Sequence, residues 1–119
     1  MDVSYHLSMI DSDFEDFQLQ AVIDLYHISL EHCEEIINSI DKIITVFLFS
    51  DKKIRLYAAK ILKNLCFSGI TYVQKKDIVK AIIMNISAED VDRKMFKEIA
   101  NILDNIDPKI VSEVSSEIL

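Results

Sequence analysis

The sequence has only one glycine, Gly69, and one proline, Pro108, among its 119 residues. Folds made of β-strands need many tight turns, and tight turns consume glycine and proline. The shortage of both therefore favours long helices joined by short connections. Half of the residues are hydrophobic, which excludes a disordered chain, and the length suits a single domain over residues 1–119.

Long apolar runs are also missing. The longest, from Ile43 to Phe49, is well short of the roughly 18 residues that a membrane span needs. The first residues are acidic and lack the basic start of a signal peptide. Cys33 and Cys66 form no CxxC pair, so we expect two free thiols in a reducing compartment. These absences predict a cytoplasmic protein that makes no contact with a membrane.

Basic residues are scarce outside the middle of the chain. Residues 1–50 hold ten acids and one base, whereas residues 51–80 hold eight bases and two acids. Residues 81–119 are acidic again, and the net charge of the whole chain is −7. The basic middle is either ordinary solvated helix surface or a positive band for an acidic partner.

Capping patterns and apolar spacing predict six helices. Ser12 and Glu15 have the spacing of a capping box and start the first helix. The second helix is predicted over residues 33–48, and the third over residues 51–67 with Ser50 as its cap. Residues 1–11 form either a short helix or an arm packed on the first pair of helices.

The remaining helices begin at clear cap residues. Gly69 ends the third helix, because glycine adopts the left-handed conformation at little cost. Thr71 opens the fourth helix as a capping box with Gln74, and Ser87 opens the fifth helix in the same way. Asp107 followed by proline starts the sixth, over residues 108–119. The apolar stripes of the first and fifth helices are Phe14, Phe17, Ala21, Leu25 and Ile28, and Val91, Met95, Phe96, Ile99, Ile102 and Leu103.

A shift of 38 residues aligns the third helix with the fifth and the second with the fourth. The clearest matches are Asp51 with Glu89, Arg55 with Arg93, Ile61 with Ile99 and Leu65 with Leu103. The first helix matches the third at a shift of 37. One helix hairpin cannot bury its own apolar stripe, but three stacked hairpins can.

The repeated pattern of Asp51, Arg55, Ala58, Leu62 and Leu65 resembles the HEAT and armadillo class of α-helical repeats. The resemblance implies an all-α fold, a short α-solenoid of three stacked antiparallel helix hairpins. A compact non-repeating helical bundle is the alternative. It stays open because the first helix lacks the arginine, the fifth has a large residue matching Ala58, and no first helix of a pair contains proline.

The resemblance also implies a function. Members of this class mostly bind other proteins along the surface made by the second helix of each pair, so we expect a small non-enzymatic interaction or scaffold module. The corresponding positions here are Glu34, Asn38, Asp41, Thr45, Gln74, Lys75, Asp77 and Asn85.

The alternative function is a nucleic-acid-binding helical module that uses the basic band of residues 52–80. Its anion-binding residues would be Lys52, Lys53, Lys60, Lys63, Lys75, Lys76 and Lys80. The overall acidity and the shortage of arginine argue against it, and an acidic protein surface, including that of a second copy, fits the band better.

Residues able to carry catalysis or bind a metal are poorly spaced. His27 and His32 are five residues apart, and no second pair completes a tetrahedral site. One glycine cannot form a phosphate-binding loop. We therefore expect no metal, cofactor or catalytic residue. An enzyme would need a concave pocket around His27 or Cys66.

The end of the chain predicts self-association. Ile110, Val114, Ile118 and Leu119 would leave an apolar face on the last hairpin, because no further layer covers it. We expect a homodimer through this C-terminal hairpin.

Overall fold

The computed structural model describes residues 3–85 and 92–118, and every regular element within these ranges is helical. The seven α-helices are α1 (Val3–Met9), α2 (Glu15–Ser29), α3 (Ile40–Phe49), α4 (Lys52–Cys66), α5 (Tyr72–Asn85), α6 (Arg93–Asp104) and α7 (Pro108–Ile118). Two 3₁₀ turns, Cys33–Glu35 and Ile37–Ser39, precede α3. The prediction of an all-helical fold is confirmed for this part of the chain.

Three of the predicted helix boundaries are confirmed in detail. Thr71 and Gln74 form a reciprocal capping box, in which each backbone N–H donates to the side chain of the other residue at 2.9 and 3.1 Å. Gly69 has a φ of +80°, the left-handed conformation that separates α4 from α5. Asp107 caps α7 by accepting a hydrogen bond from the backbone N–H of Lys109 at 2.9 Å.

Other caps differ from the predicted ones. Helix α2 begins after Phe14, because the Ser12 hydroxyl accepts from the Phe14 N–H in a local turn instead of capping the helix. Helix α4 is capped by Asp51, not by Ser50, through a bond from the Ile54 N–H at 3.4 Å. The predicted cap at residues 87–90 lies outside the described residues, and Asp92 caps α6.

The prediction of one continuous helix over residues 33–48 is wrong. Only Ile40–Phe49 is α-helical, and the preceding segment forms the two short 3₁₀ turns. Asn38 and Ser39 at the break have side chains that compete for backbone hydrogen bonds, which disfavours a helix interior. Ile36 within the segment is nevertheless fully buried, so the turns remain part of the core.

The helices pack in two series. Helix α2 packs against α4 and α4 against α6, while α3 packs against α5 and α5 against α7. Contacts between α3 and α4 join the two series, and α1 packs on α2. The radius of gyration is 13.5 Å, which is about the value expected for a compact domain of this length.

Helix α4 lies at the centre of the core. Its Ile54, Ala58, Ile61, Leu62 and Leu65 side chains are essentially inaccessible to solvent. They belong to one core cluster with buried residues of both series, among them Val22, Leu25, Ile43, Phe47, Ile78, Ile82, Ile99 and Ile102. Small residues at Ala58 and Ala59 leave room for this close packing.

A buried polar contact joins α4 to the second series. Arg55 is only 5% exposed, and its Nε donates to the backbone carbonyl of Phe47 at 2.9 Å. Its guanidinium also donates to the side-chain oxygen of Asn85, which is buried at the end of α5. Arg55 of α4 therefore links α3 and α5 through buried hydrogen bonds.

Three aromatic residues predicted to be in the core are on the surface. Phe14, Phe17 and Phe96 are 69%, 54% and 56% exposed. The start of α2 reaches beyond the helices that cover its later turns, and α6 packs mainly on one neighbour, α4. Helical spacing identified the right segments, but it cannot tell which turns a neighbouring helix covers.

The predicted apolar end face is largely wrong. Ile110 and Val114 are buried because α7 turns them toward α5, whereas Ile118 is partly exposed and Leu119 lies outside the described residues. The homodimer through the C-terminal hairpin stays a prediction, with Ile118 as the exposed residue of the described part of that surface.

Candidate functional site

A groove crosses α2, α4 and α6, and it consists of two cavities of about 290 Å³ each. The cavity toward α6 is lined by Lys52, Lys53, Leu56, Asp92, Lys94 and Met95. The cavity toward α2 is lined by Leu19, Ile23, Lys53, Leu56, Tyr57 and Lys94. Lys53, Leu56 and Lys94 line both cavities, so the two are continuous, and we name them together the α2–α4–α6 groove.

Helix geometry explains why these residues meet. Leu56 and Tyr57 lie three and four residues after Lys53, which places both of them next to Lys53 on one side of α4. Leu19 and Ile23 are four apart and share a face of α2. Helix α4 therefore carries two apolar faces, one in the core and one on the floor of the groove.

The floor of the groove is apolar and held in place. Leu19, Ile23, Leu56 and Tyr57 are all half-buried. The Tyr57 ring contacts the Tyr26 ring, with 5.8 Å between the ring centroids. A partly exposed apolar floor next to charged side chains is the typical composition of a protein-binding surface.

One lysine of the groove is neutralised within the chain. Lys52 Nζ lies 3.1 Å from Asp92 Oδ2, and Asp92 also accepts the hydrogen bond from the Met95 N–H that caps α6. The Met95 bond, followed by the Lys52 ammonium, lowers the pKa of Asp92 below its ordinary value. Asp92 thus stays ionised and holds Lys52 against the start of α6.

The other two lysines form no ion pair with a described carboxylate, although the charge of Lys53 acts on Glu15 of α2. Neither Lys53 nor Lys94 has a carboxylate within 4.0 Å among the described residues, and both are exposed. They line both cavities, so the centre of the groove is positively charged. An anionic group bound between apolar side chains would be complementary to this arrangement.

Some of the predicted anion-binding lysines form ion pairs within the chain, and others do not. Lys60 and Lys63 each lie 3.1 Å from a carboxylate oxygen of Glu98, and Lys76 contacts Glu113 and Glu117. Lys52 is paired as described above, which leaves Lys53, Lys75 and Lys80 without a described ion pair. Lys75 and Lys80 are on α5, in the other helix series, so the set does not form one surface.

Glu98 is the reason why sequence reasoning overestimated the basic band. This residue is only 6% exposed and lies between α4 and α6. Burial by itself would raise its pKa, but the ammonium groups of Lys60 and Lys63 outweigh burial and lower the pKa. Glu98 is therefore ionised, and it neutralises charge that the sequence alone suggested was available to a partner.

The predicted partner-binding positions differ in how exposed they are. Glu34, Asn38, Asp41 and Thr45 are exposed, although the first two lie in 3₁₀ turns and not in a helix. Gln74, Lys75 and Asp77 are half-buried on α5. The expectation for Asn85 is wrong, because its side chain is buried against Arg55 and the Phe47 carbonyl.

A cavity of about 380 Å³ near the carboxyl ends of α2 and α4 contains Cys33. The Cys33 thiol donates to the carbonyl of Ser29 at 2.8 Å, and burial raises its pKa. Burial also raises the pKa of the Cys66 thiol, to about 11. Both thiols are free, but raised pKa values make them poor nucleophiles.

The histidines show no arrangement for metal binding. His27 is exposed beside the Tyr26 ring, and His32 lies 3.6 Å from a carboxylate oxygen of Glu34. No group of three potential metal ligands occurs among the residues that the structure describes. Neither His27 nor Cys66 lines the groove or the Cys33 cavity.

Sequence reasoning missed most of the groove. Leu19, Ile23, Leu56 and Tyr57 were outside the main apolar stripes, and Lys94 was outside the basic band. The second apolar pair on α4, Leu56 and Tyr57, is the pattern that could have revealed it.

None of the helices in the described ranges combines the length and apolar character required to cross a bilayer. Comparison of the chain with protein-family models, with curated proteins and with solved structures found no match.

Proposed function

We propose that this chain is a small protein-interaction module without catalytic activity, built from three stacked helix hairpins. The order of the helix contacts supports stacking, because α2, α4 and α6 pack in succession and so do α3, α5 and α7. This is the order of contacts that a HEAT-like solenoid requires.

Two side-chain contacts support the repeat in more detail. Lys60 pairs with Glu98, and the Asn85 amide donates to the Phe47 carbonyl at 3.4 Å. Each contact joins residues that are 38 apart, which is the spacing of the sequence repeat. A non-repeating bundle, the alternative arrangement, gives no reason why this spacing should occur in both helix series.

The α2–α4–α6 groove is the observation that carries the proposed function. It combines an apolar floor with two lysines, Lys53 and Lys94, that form no ion pair with a described carboxylate. Apolar area supplies most of the free energy of protein association, while charge at its edge selects the partner.

Nucleic-acid binding receives less support from the same contacts. Four lysines of the basic set, Lys52, Lys60, Lys63 and Lys76, are occupied by carboxylates of the chain itself. A polyanion would have to displace these carboxylates. A gel shift at low salt tests this alternative, since phosphate contacts weaken steeply as salt is added.

The proposed function is tested by selecting peptides from an unbiased library on the full chain and mapping them by amide chemical shifts. We expect the shifts to centre on Leu56, Tyr57 and Met95. Shifts centred on Asp41, Thr45 and Asp77 would contradict the groove and favour the second-helix surface. Failure to recover any binding peptide would contradict the interaction module itself.

A further inference from the structure

We propose that the α2–α4–α6 groove binds a second copy of this chain, through residues 13–17 at the start of α2. This inference rests on the proposed function, because it names the occupant of the same groove. The sequence of the segment is Asp-Phe-Glu-Asp-Phe, and we call it the DFEDF segment.

The DFEDF segment offers an exposed apolar surface. Phe14 and Phe17 are the two aromatic residues at the start of α2, and most of each side chain faces solvent. Their rings contact each other edge to face, with centroids 5.7 Å apart. Two aromatic side chains held together at the surface are a common anchor in protein interfaces, since they bury much area at little cost in conformational entropy.

Exposed acids surround these rings. Asp13, Glu15 and Asp16 are all exposed, and the Glu15 carboxylate contacts that of Asp51. The hydrogen bond and charge of Asp51 raise the pKa of Glu15, and the charge of Lys53 in the same chain opposes this only in part. Cations from a partner would relieve this repulsion between carboxylates.

The groove carries the opposite charge to the DFEDF segment, together with apolar side chains of its own. Lys53 and Lys94 line both of its cavities, with Leu19, Ile23 and Tyr57 on the α2 side and Met95 on the α6 side. A ligand that places carboxylates beside Lys53 and Lys94 and apolar side chains on the floor would match it. The DFEDF segment has both kinds of group, because exposed acids lie next to its two contacting phenylalanine rings.

The position of the two patches allows a closed dimer. Helix α2 carries the DFEDF segment at its start and the groove residues Leu19 and Ile23 farther along. In a dimer with two-fold symmetry, the segment of each copy can therefore bind in the groove of the other. Each contact then occurs twice, which doubles the apolar area buried.

A polyanion or a basic partner fits these observations less well. A phosphate backbone would pair with Lys53 and Lys94 but leave the apolar floor exposed to water. A basic partner would be repelled by the same lysines. The exposed pair of phenylalanines at the start of α2, Phe14 and Phe17, would remain unexplained in both cases.

The test is sedimentation of the full chain over a range of concentrations, with variants matched in charge and size. We expect a monomer–dimer equilibrium that F14S/F17S and K53E/K94E each weaken by about tenfold or more. The controls are F67S, an exposed phenylalanine at the end of α4, and K75E/K80E, two lysines on α5 without a described ion pair. Neither control should change the equilibrium.

A charge exchange makes the test specific. The D13K/E15K/D16K variant and the K53E/K94E variant should each be monomeric alone, because segment and groove then carry like charges. Mixed together they should form a heterodimer, since both of its segment–groove contacts join opposite charges.

The outcomes separate this inference from the proposed function. A chain that stays monomeric but binds selected peptides at Leu56 and Tyr57 overturns the second copy as occupant and leaves the interaction module standing. Self-association that is insensitive to the groove and segment variants overturns the inference as well. Failure of the charge-exchanged pair to associate, while each variant is folded by circular dichroism, also contradicts it.

Discussion

Helices α4 and α6 align with each other at a sequence shift of 38 residues, yet their environments differ. Arg55 of α4 is buried, whereas the matched Arg93 of α6 is exposed. Ala58 is fully buried, whereas the matched Phe96 faces solvent. Ile61 and the matched Ile99 are both buried.

The difference follows from the number of neighbours. Helix α4 packs against α2, α3 and α6, so nearly all of its circumference is covered except the face in the groove. Helix α6 packs mainly on α4, at the end of its series. A repeated residue type therefore predicts the same place on a helix, but the place in the series decides whether the residue is buried.

Replacing the two aligned arginines, Arg55 and Arg93, should give the largest difference in unfolding free energy between the two helices. Arg55→Ala removes the two buried hydrogen bonds described above, among its other interactions, and leaves the Phe47 carbonyl and the Asn85 amide with fewer partners. We therefore expect a loss of about 3 kcal/mol in unfolding free energy. Arg93→Ala should stay within about 0.5 kcal/mol of the wild type. Urea denaturation measures the unfolding free energy of both variants. Equal losses would contradict the difference in burial between the inner helix α4 and the terminal helix α6.

The buried carboxylate on α6 should give the next largest effect, and the effect should depend on pH. Glu98→Gln removes the charge that Lys60 and Lys63 contact, so we expect a loss on the order of 2 kcal/mol at neutral pH. The folded-state pKa of Glu98 lies below its ordinary value of 4.5. The stabilisation by its charge is therefore fully present above pH 4.5 and is lost as the pH falls through the folded-state pKa.

The difference between wild type and E98Q should accordingly shrink as the pH is lowered in denaturation experiments. The matched control is Glu117→Gln, because Glu117 contacts Lys76 at the surface of α7. E117Q should have little effect at any pH. A difference for E98Q that does not change with pH would show that its carboxylate is not held ionised by the two lysines.

Enlarging the small residue of the repeat should give a smaller loss on α4. Ala58→Leu adds volume to a site with no free space, and we expect it to cost about 1.5 kcal/mol. Phe96→Leu at the matched position should remain within about 0.5 kcal/mol. Thermal unfolding measures the stability of both variants. A stability of the Ala58→Leu variant equal to that of the wild type would contradict the dense packing of α4.

Thiol reactivity probes the same comparison without changing stability. Cys66 in the last turn of α4 has a pKa of about 11, and the matched residue in α6 is the exposed Asp104. Relative to an ordinary thiol of pKa 9.0, Cys66 should label about 100-fold more slowly through its lower thiolate fraction. In a Cys33→Ser background, D104C should label at the rate of a free thiol, and equal rates at the two positions would contradict the burial difference.

The parts of the fold that could be predicted from sequence depend on local chemistry. The reciprocal bonds of Thr71 and Gln74, the left-handed Gly69 and the cap at Asp107 involve residues within a few positions of one another. Such bonds depend mainly on neighbouring residues, although the equally local Ser12–Glu15 box predicted for α2 does not form. The break before α3 was missed because a strong apolar stripe, including the buried Ile36 and Ile40, continues across it.

The candidate site could not be predicted, because it depends on which helices become neighbours. Lys53 and Lys94 are 41 residues apart and line one groove only because α4 packs on α6. Likewise, the charge of Lys60 and Lys63 could not be discounted before Glu98 was placed beside them. The exposed Phe14 and Phe17 have the same cause, since spacing alone does not show where a neighbouring helix ends.

The central claim is that matched positions of successive hairpins meet, 38 residues apart. A double-mutant cycle on Lys60 and Glu98 tests it most directly, because these residues align at the 38-residue shift and form one of the ion pairs between α4 and α6. We predict a coupling free energy of about 1 kcal/mol or more between Lys60→Ala and Glu98→Ala. Losses that add within about 0.3 kcal/mol would mean that the two residues do not meet, and would contradict the stacking of the hairpins.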